Sequence, residues 1–301
     1  MLRRAAAVLL LSSLVAPDAA RAAEIVRRFG RLTVAADTAL AYPGGILVVS
    51  YRSARALGGI FAIFEGRRAP VYWSSKGARS LVPIPAGTPA GTGLLGIEVH
   101  TRGGAQRLQM EFPIAERTFP ARGLEVAPEK RALLEEPSAL RDGRRLMVAV
   151  RTLTKTALWD GPFRPPVVSP PSDSFGDRGQ YVGASPLETL LDGGLGDRHR
   201  GLDYPLAPGS LVVAPAGGTV VMATTLALSG HTLVIDHGQG FVSALYHLRR
   251  IDVREGERVA PRAPLGVSGD SGVAAFPQLH WGVYLFGIAV DPQAVMALFP
   301  E

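Results

Sequence analysis

The sequence contains no cysteine. That absence excludes a disulfide scaffold, thiolate zinc sites, a cysteine nucleophile and a lipidated N-terminal cysteine. A membrane-spanning stretch is also lacking at the start of the chain. Residues 5–15 form an apolar run broken by Ser12 and Ser13, about half of the ~20 residues that a spanning helix needs. No block of lysine or arginine interleaves with aromatic residues, so nucleic-acid binding has no support. Any metal must be held by His, Asp or Glu, and with only six histidines in the chain each can be weighed by itself.

What is present suits two domains built from short strands. The 301 residues are 47% apolar, enough for real cores, and 35 glycines with 24 prolines favour strands joined by turns over long helices. Arg3 and Arg4 precede the apolar run and Ala20-Arg21-Ala22 follows it, the pattern of a secretory signal peptide over residues 1–22. A retained anchor is the weaker reading, and nothing else around the arginine pair speaks for twin-arginine export. The expected mature protein is exported, with no integral membrane segment after signal removal. Its net charge falls from +6 to +4, because residues 1–22 carry a net +2; that excess suits diffuse attraction to an anionic envelope.

Between residues 31 and 114, short apolar runs alternate with turn residues. Ile46-Leu47-Val48-Val49 follows Pro43-Gly44-Gly45, Ile60-Phe61-Ala62-Ile63-Phe64 lies between glycines, and Leu108, Met110 and Phe112 alternate with polar residues. This spacing predicts an antiparallel β-sandwich over 23–118, with His100 an ordinary strand residue. Residues 119–171 read as a helical and proline-rich linker. Leu133, Leu134, Leu140, Leu146, Met147 and Val150 suggest short helical turns interrupted at Pro137 and Gly143, and a crowd of prolines from Pro162 to Pro171 suggests an extended join. From residue 172 to 301 the chain is β-rich again and holds five of the six histidines.

His199 and Asp203 stand four apart with Gly201 between them, so a bent strand or loop, not a helix, would have to aim both at one ion. His280 opens the apolar run Leu279-His280-Trp281, and on a strand it shares a face with Gln278. His247 ends Leu245-Tyr246-His247. Two imidazoles and one carboxylate would make a three-ligand zinc set with a fourth position for water, and a further histidine could accept a proton or stabilise an oxyanion. A solvated loop is the alternative for the His199–Asp203 pair taken alone.

These pieces lie in an order that resembles the M23 metallopeptidases, the lysostaphin and LytM-type enzymes that cut peptidoglycan peptides. The resemblance runs through His199-Arg200-Gly201-Leu202-Asp203-Tyr204, Val213-Ala214-Pro215-Ala216-Gly217-Gly218, Val234-Ile235-Asp236-His237-Gly238, Tyr246-His247-Leu248, Leu279-His280-Trp281-Gly282 and Val290-Asp291-Pro292. It implies an all-β protein, an immunoglobulin-like β-sandwich followed by a LytM-type β-sheet peptidase domain of the two-domain Gram-negative type. By position it implies His199, Asp203 and His280 as ligands of Zn²⁺ and His247 as a catalytic histidine. It implies cleavage of stem or cross-link peptides by zinc-activated water, and a periplasmic location.

One departure concerns the chemistry. The family usually has a second catalytic histidine two residues before the last ligand, and here Gln278 stands there, after Phe276 in place of a usual glycine. Gln278 cannot titrate but can hydrogen-bond. The competing expectation is therefore a weak or inactive peptidoglycan-binding regulator of cell-wall hydrolases. Arg262 also replaces a common turn glycine. Arg178 and His231 are weaker candidates for lining a substrate groove, His237 for a structural turn, and Asp197 and Asp270 for solvated loop positions. Protein partners in the envelope are not legible.

Overall fold

The structure, a computed structural model, describes residues 24–53, 59–74, 77–101, 104–124, 128–171, 175–181 and 198–300; the expected signal peptide and Asp197 lie outside them. The chain is all-β apart from a few short helices. Its first part holds β1 (Glu24–Phe29), β2 (Leu32–Asp37), β3 (Ile46–Ser53), β4 (Ile60–Phe64), β5 (Arg67–Pro70), β6 (Tyr72–Ser74), β7 (Gly77–Pro83), β8 (Gly91–Thr101) and β9 (Gly104–Ile114). These pair as one sheet in the order β1-β2-β3-β7-β6 and a second in the order β5-β4-β8-β9. Alternating residues such as Val34, Ala36, Ile60, Ala62, Met110 and Phe112 turn inward and bury the space between the sheets. His100 lies on β8 and meets the buried Glu98 carboxylate at 2.7 Å, which is the structural strand role expected of it.

The chain then crosses to the second domain through β10 (Ala121–Leu124), a 3₁₀ helix (Pro128–Glu135) and α1 (Ala139–Ala149). One expectation for this stretch needs correcting. Gly143 does not interrupt α1, which runs through it; the roughly 1 kcal/mol that glycine costs in a helix is offset by packing of Ala149 and Val150 against Met222, Leu226 and Val234. The proline-rich part is tied to the second domain by backbone hydrogen bonds. Leu158 N–H donates to the His237 carbonyl at 2.8 Å, Arg164 N–H to Pro215 at 2.9 Å, and Val213 N–H to Pro166 at 2.9 Å. Trp159 and Phe163 insert among Phe241 and Phe299. The described residues from 128 to 171 thus form a belt laid along the second domain.

That domain contains β11 (Arg178–Tyr181), β12 (Gly201–Pro205), β13 (Leu211–Val213), β14 (Gly218–Leu226), β15 (Gly230–Gly238), β16 (Phe241–Ile251), β17 (Arg258–Val259), β18 (Pro264–Ser268), β19 (Gln278–Leu285), β20 (Ile288–Val290) and α2 (Pro292–Leu298). Its nine-stranded sheet follows the order β12-β19-β16-β15-β14-β17, with β18 pairing β13 and β16 and with β20 pairing β19. β19 is buried at every position, as expected for a central strand covered on both faces. Arg262 adopts a left-handed backbone (φ 67°) and its guanidinium donates to the Pro165 carbonyl at 2.7 Å, so the residue standing for a turn glycine also ties down the belt.

The two domains share a core. Ile46 and Leu81 of the sandwich belong to the same buried cluster as Phe163, Phe175, Leu202, Tyr204 and Trp281. Gly44, with φ 86°, lies so close to Phe175 that a Cβ there would sit 2.2 Å from the ring. Among the described residues no helix is long and apolar enough to cross a membrane.

Candidate metal centre and its surroundings

β12 and β19 are antiparallel neighbours, and their register sets Asp203 directly opposite His280. Residues opposite one another project to the same face of a sheet, so the carboxylate and the imidazole meet: Asp203 Oδ1 lies 2.8 Å from His280 Nδ1. His199 comes to the same point from the bend before β12. Four extended residues would span about 13 Å, yet His199 Nε2 is 3.2 Å from Asp203 Oδ1 and 3.1 Å from His280 Nδ1. The bend is held by the backbone on both sides of the peptide: His199 N–H donates to Asp177 and its carbonyl accepts from Gly176, each at 2.8 Å. Gly201 makes the crossing possible, because a Cβ there would sit 2.3 Å from the Trp281 carbonyl oxygen and 2.7 Å from His280 Nε2.

Three potential donor atoms therefore converge, and this is the one His/Asp/Glu cluster of metal-binding geometry among the described residues. Their electrostatic states suit a cation. Burial opposes ionisation of Asp203, but hydrogen bonds and charge from His199 and then His280 hold its carboxyl well below the usual range. Burial also pushes the His280 imidazole down, against the opposing pull of Asp203. An anionic Asp203 beside an imidazole at His280 pushed toward its neutral form is what metal ligation requires of these two groups. Separations of 2.8–3.2 Å are close to the edge of a tetrahedron whose bonds are about 2 Å, as zinc prefers. The donor set fits zinc.

The next strand supplies the neighbours. β16 pairs β19 with Tyr246 opposite His280, and their rings stack with centroids 4.9 Å apart and planes 2° from parallel. The following residue, His247, sits at a register shift: His231 faces Leu248 while Leu233 faces Leu245. Such a bulge re-aims a side chain, and His247 takes a left-handed backbone (φ 64°), costly for a non-glycine residue. Its ring is buried and its Nδ1 lies 2.8 Å from the Ser271 carbonyl oxygen. Because a carbonyl only accepts, Nδ1 carries the proton and Nε2 keeps its lone pair. Burial pushes this imidazole down to about 4; His280 and Lys130 add to the push, against Ser271 and Asp203.

Gln278 is buried at the head of β19, and its Oε1 has no hydrogen-bond partner among the described residues. Phe276, two residues earlier, is exposed. Arg178 is exposed on β11 and bridges to Arg198, beside His199. His231 shares a 2.7 Å hydrogen bond with Thr225 on the adjoining strand. His237 is fully buried between the Gly217 carbonyl (2.8 Å) and the Ser243 hydroxyl (2.9 Å), a structural placement. Asp270 is an exposed loop residue, but its backbone carbonyl takes part in a contact the sequence could not signal: Lys130 of the 3₁₀ helix donates to it and to the Ala274 carbonyl.

Residues 197–292 match the sequence model of Peptidase family M23. Over 93 residues the chain is 31% identical to the peptidoglycan DD-endopeptidase ShyA of Vibrio cholerae, covering 31% of this chain and 22% of that protein. Over 96 residues it is 31% identical to the murein hydrolase activator EnvC of Escherichia coli, covering 32% of this chain and 23% of that one. The chain thus spans less than a quarter of the length of these two relatives. A Pseudomonas aeruginosa crystal structure assigned to peptidase M23 superposes with a TM-score of 0.61 at 26% identity, over 86% of this chain and 96% of that one.

Proposed function

The carboxy-terminal domain of this chain is an M23 peptidase domain, and from that premise we propose that the protein is an exported zinc metalloendopeptidase that cleaves peptide bonds in peptidoglycan stem or cross-link peptides. The observation that carries the reading is the convergence of His199 Nε2, Asp203 Oδ1 and His280 Nδ1 beside a buried histidine of fixed tautomer. Those three side chains would hold the ion. When bound, zinc supplies Lewis-acid chemistry, polarising a carbonyl and making water acidic enough to act as a nucleophile near neutral pH.

The chain's own residues divide the remaining work. His247, neutral and with Nε2 as its free acceptor, takes a proton from the nucleophile and returns it to the leaving amine. Its Nδ1 proton is already committed to Ser271, so a donor role toward an oxyanion falls outside its resting geometry. Gln278 Oε1, buried and unpartnered, accepts a hydrogen bond from water or from a substrate N–H, an orienting role that needs no titration. Asp203 stays ionised and offsets the charge of the ion. The signal-like residues 1–22, and the peptidoglycan and murein that the names of ShyA and EnvC specify, support export, with a periplasmic site of action.

A second reading is a regulator of cell-wall hydrolases that binds peptidoglycan without cutting it, and a murein hydrolase activator, EnvC, is among the similar proteins; the observation favouring it is the amide of Gln278 at a position where the family usually carries an imidazole. Peptide release from purified sacculi by zinc-loaded wild type, His247→Ala and Gln278→His separates the two. The peptidase reading expects release by wild type and a loss of about 10²–10⁴-fold in His247→Ala with zinc content unchanged. No release by zinc-loaded wild type, restored in Gln278→His, overturns it in favour of the regulator.

A further inference from the structure

We propose that Lys130, from the belt between the domains, is a positioning residue for His247: its ammonium bridges two carbonyls of the 270–274 turn and so holds the Ser271 carbonyl that orients the imidazole. The inference rests on the peptidase reading only for its kinetic consequence. Lys130 Nζ lies 2.5 Å from the Asp270 oxygen and 2.8 Å from that of Ala274, and the residues between them include Ser271. An ammonium has three donors on a flexible stem, which suits it to clamp two carbonyls at once.

The turn is held from other directions as well, Val273 N–H donating to the Leu228 carbonyl at 2.9 Å. Below it, Leu134 of the 3₁₀ helix and Val273 of the turn bury one another, with Leu133 and Leu228 packed around them. From the sheet side, Ser271 Oγ donates to the Leu248 carbonyl at 2.7 Å and accepts from His231 N–H at 2.9 Å. These bonds orient the Ser271 hydroxyl, whereas the carbonyl that receives His247 Nδ1 is aimed by the turn itself. His247 also occupies a left-handed backbone, a conformation that persists only where its surroundings hold it. Releasing the turn would leave Nδ1 without a fixed acceptor, allow the ring to flip or change tautomer, and take Nε2 away from the reacting centre. The turn leads directly into Phe276 and Gln278, so its position also sets where β19 begins.

A purely structural lysine would affect stability alone, so the test reads the imidazole. Lys130→Met keeps the stem and removes the donors; Lys130→Arg keeps charge and donors; Lys155→Met, at an exposed lysine of the same belt, is the control. Histidine tautomers are measured by ¹⁵N NMR on the full-length zinc-loaded protein at constant pH, with kcat and KM measured on a peptidoglycan-derived peptide. Lys130→Met is expected to replace the single Nδ1–H form of His247 by a mixture. It is expected to lower kcat by about 10- to 100-fold, as small misplacements of reacting groups do, with KM within about twofold and zinc content unchanged. Lys130→Arg recovers part of kcat, and Lys155→Met matches wild type. An unchanged His247 tautomer in folded Lys130→Met overturns the proposal. If Lys130→Met does not fold, Lys130→Gln, which can still reach one carbonyl, is read in its place by the same criterion. A wild type that cleaves nothing but shows the tautomer change in Lys130→Met removes the peptidase reading and leaves the positioning intact.

Discussion

Arg117 Nη1 lies 2.8 Å from Asp291 Oδ2, joining the exit of the sandwich to the helix that closes the second domain. Asp291 is buried; its other oxygen caps α2 by accepting from Gln293 N–H at 2.8 Å, and its own N–H donates to the Gly44 carbonyl at 2.8 Å. The guanidinium lies over the rings of Tyr42, Phe119 and Phe175. Phe175-Gly176-Asp177 is the segment that holds the His199 backbone, so the joint between the domains and the arm bearing a candidate ligand are one packed unit.

Asp291 is buried while Arg117 is 22% exposed, so removing the arginine strands a buried charge, a loss of up to about 3–5 kcal/mol. Arg117→Ala is therefore expected to lower stability by that order in denaturant unfolding, whereas Arg117→Met combined with Asp291→Asn, which keeps the cap and removes both charges, loses much less. Equal losses in the single and double variants would mean that the aromatic packing of Arg117, not the ion pair, holds the joint.

Much of this architecture was legible in the sequence because burial on a strand has period two. Runs such as Ile60-Phe61-Ala62-Ile63-Phe64 therefore marked the sandwich, and His199, Asp203 and His280 could be named as candidate ligands before the fold drew them together. The belt was not legible. Lys130 meets Asp270 and Ala274 across some 140 residues, and the acceptors are backbone carbonyls that every residue type shares. The prolines of 162–171 could not say that the chain there lies against β13 and β15. Gly143 suggested a break because local propensity is weaker than the packing of the helix face it belongs to.

His237 predicts an acid sensitivity of the fold. Its ring is wholly buried between two hydrogen-bond partners, and burial lowers its pKa from an ordinary 6.5 to about 4, against opposing effects of Gly217 and Asp236. The folded state thus favours the neutral ring, so the associated stability is complete above the unfolded pKa near 6.5 and is lost as pH falls toward 4. The full effect is about 3 kcal/mol. Denaturant unfolding from pH 7.5 to 4 should show this decline, and His237→Gln, less stable at pH 7.5, should show a shallower one. Parallel curves for the two proteins would remove His237 as the cause.

Metal removal makes a separate prediction. A ligand that binds only the folded state stabilises it by about 4 kcal/mol at a thousand times its Kd, equivalent to roughly 2–4 °C per kcal/mol for a domain of 150–250 residues. Zinc added to chelator-treated protein is expected to raise the melting temperature accordingly, and Asp203→Asn or His280→Ala to abolish the rise. A melting temperature indifferent to zinc would count against the ligand assignment.

Gly201 offers the sharpest geometric test, because the clash that a side chain would make there is with backbone. A Cβ at 2.3 Å from the Trp281 oxygen can be relieved only by moving β12 away from β19. That movement separates Asp203 from His280, the pair whose contact depends on those two strands being in register. Gly201→Ala is therefore expected to cost about 1–3 kcal/mol, as overpacking usually does, and also to weaken zinc binding in a competition titration with a chromogenic chelator. Gly209, whose Cβ would meet nothing within 4 Å, is the comparison: its left-handed φ of 89° also strains an alanine, but it lies in a turn outside the cluster. Gly209→Ala should lose stability with zinc affinity unchanged. If Gly201→Ala binds zinc as wild type does, the spacing of β12 and β19 does not govern the site.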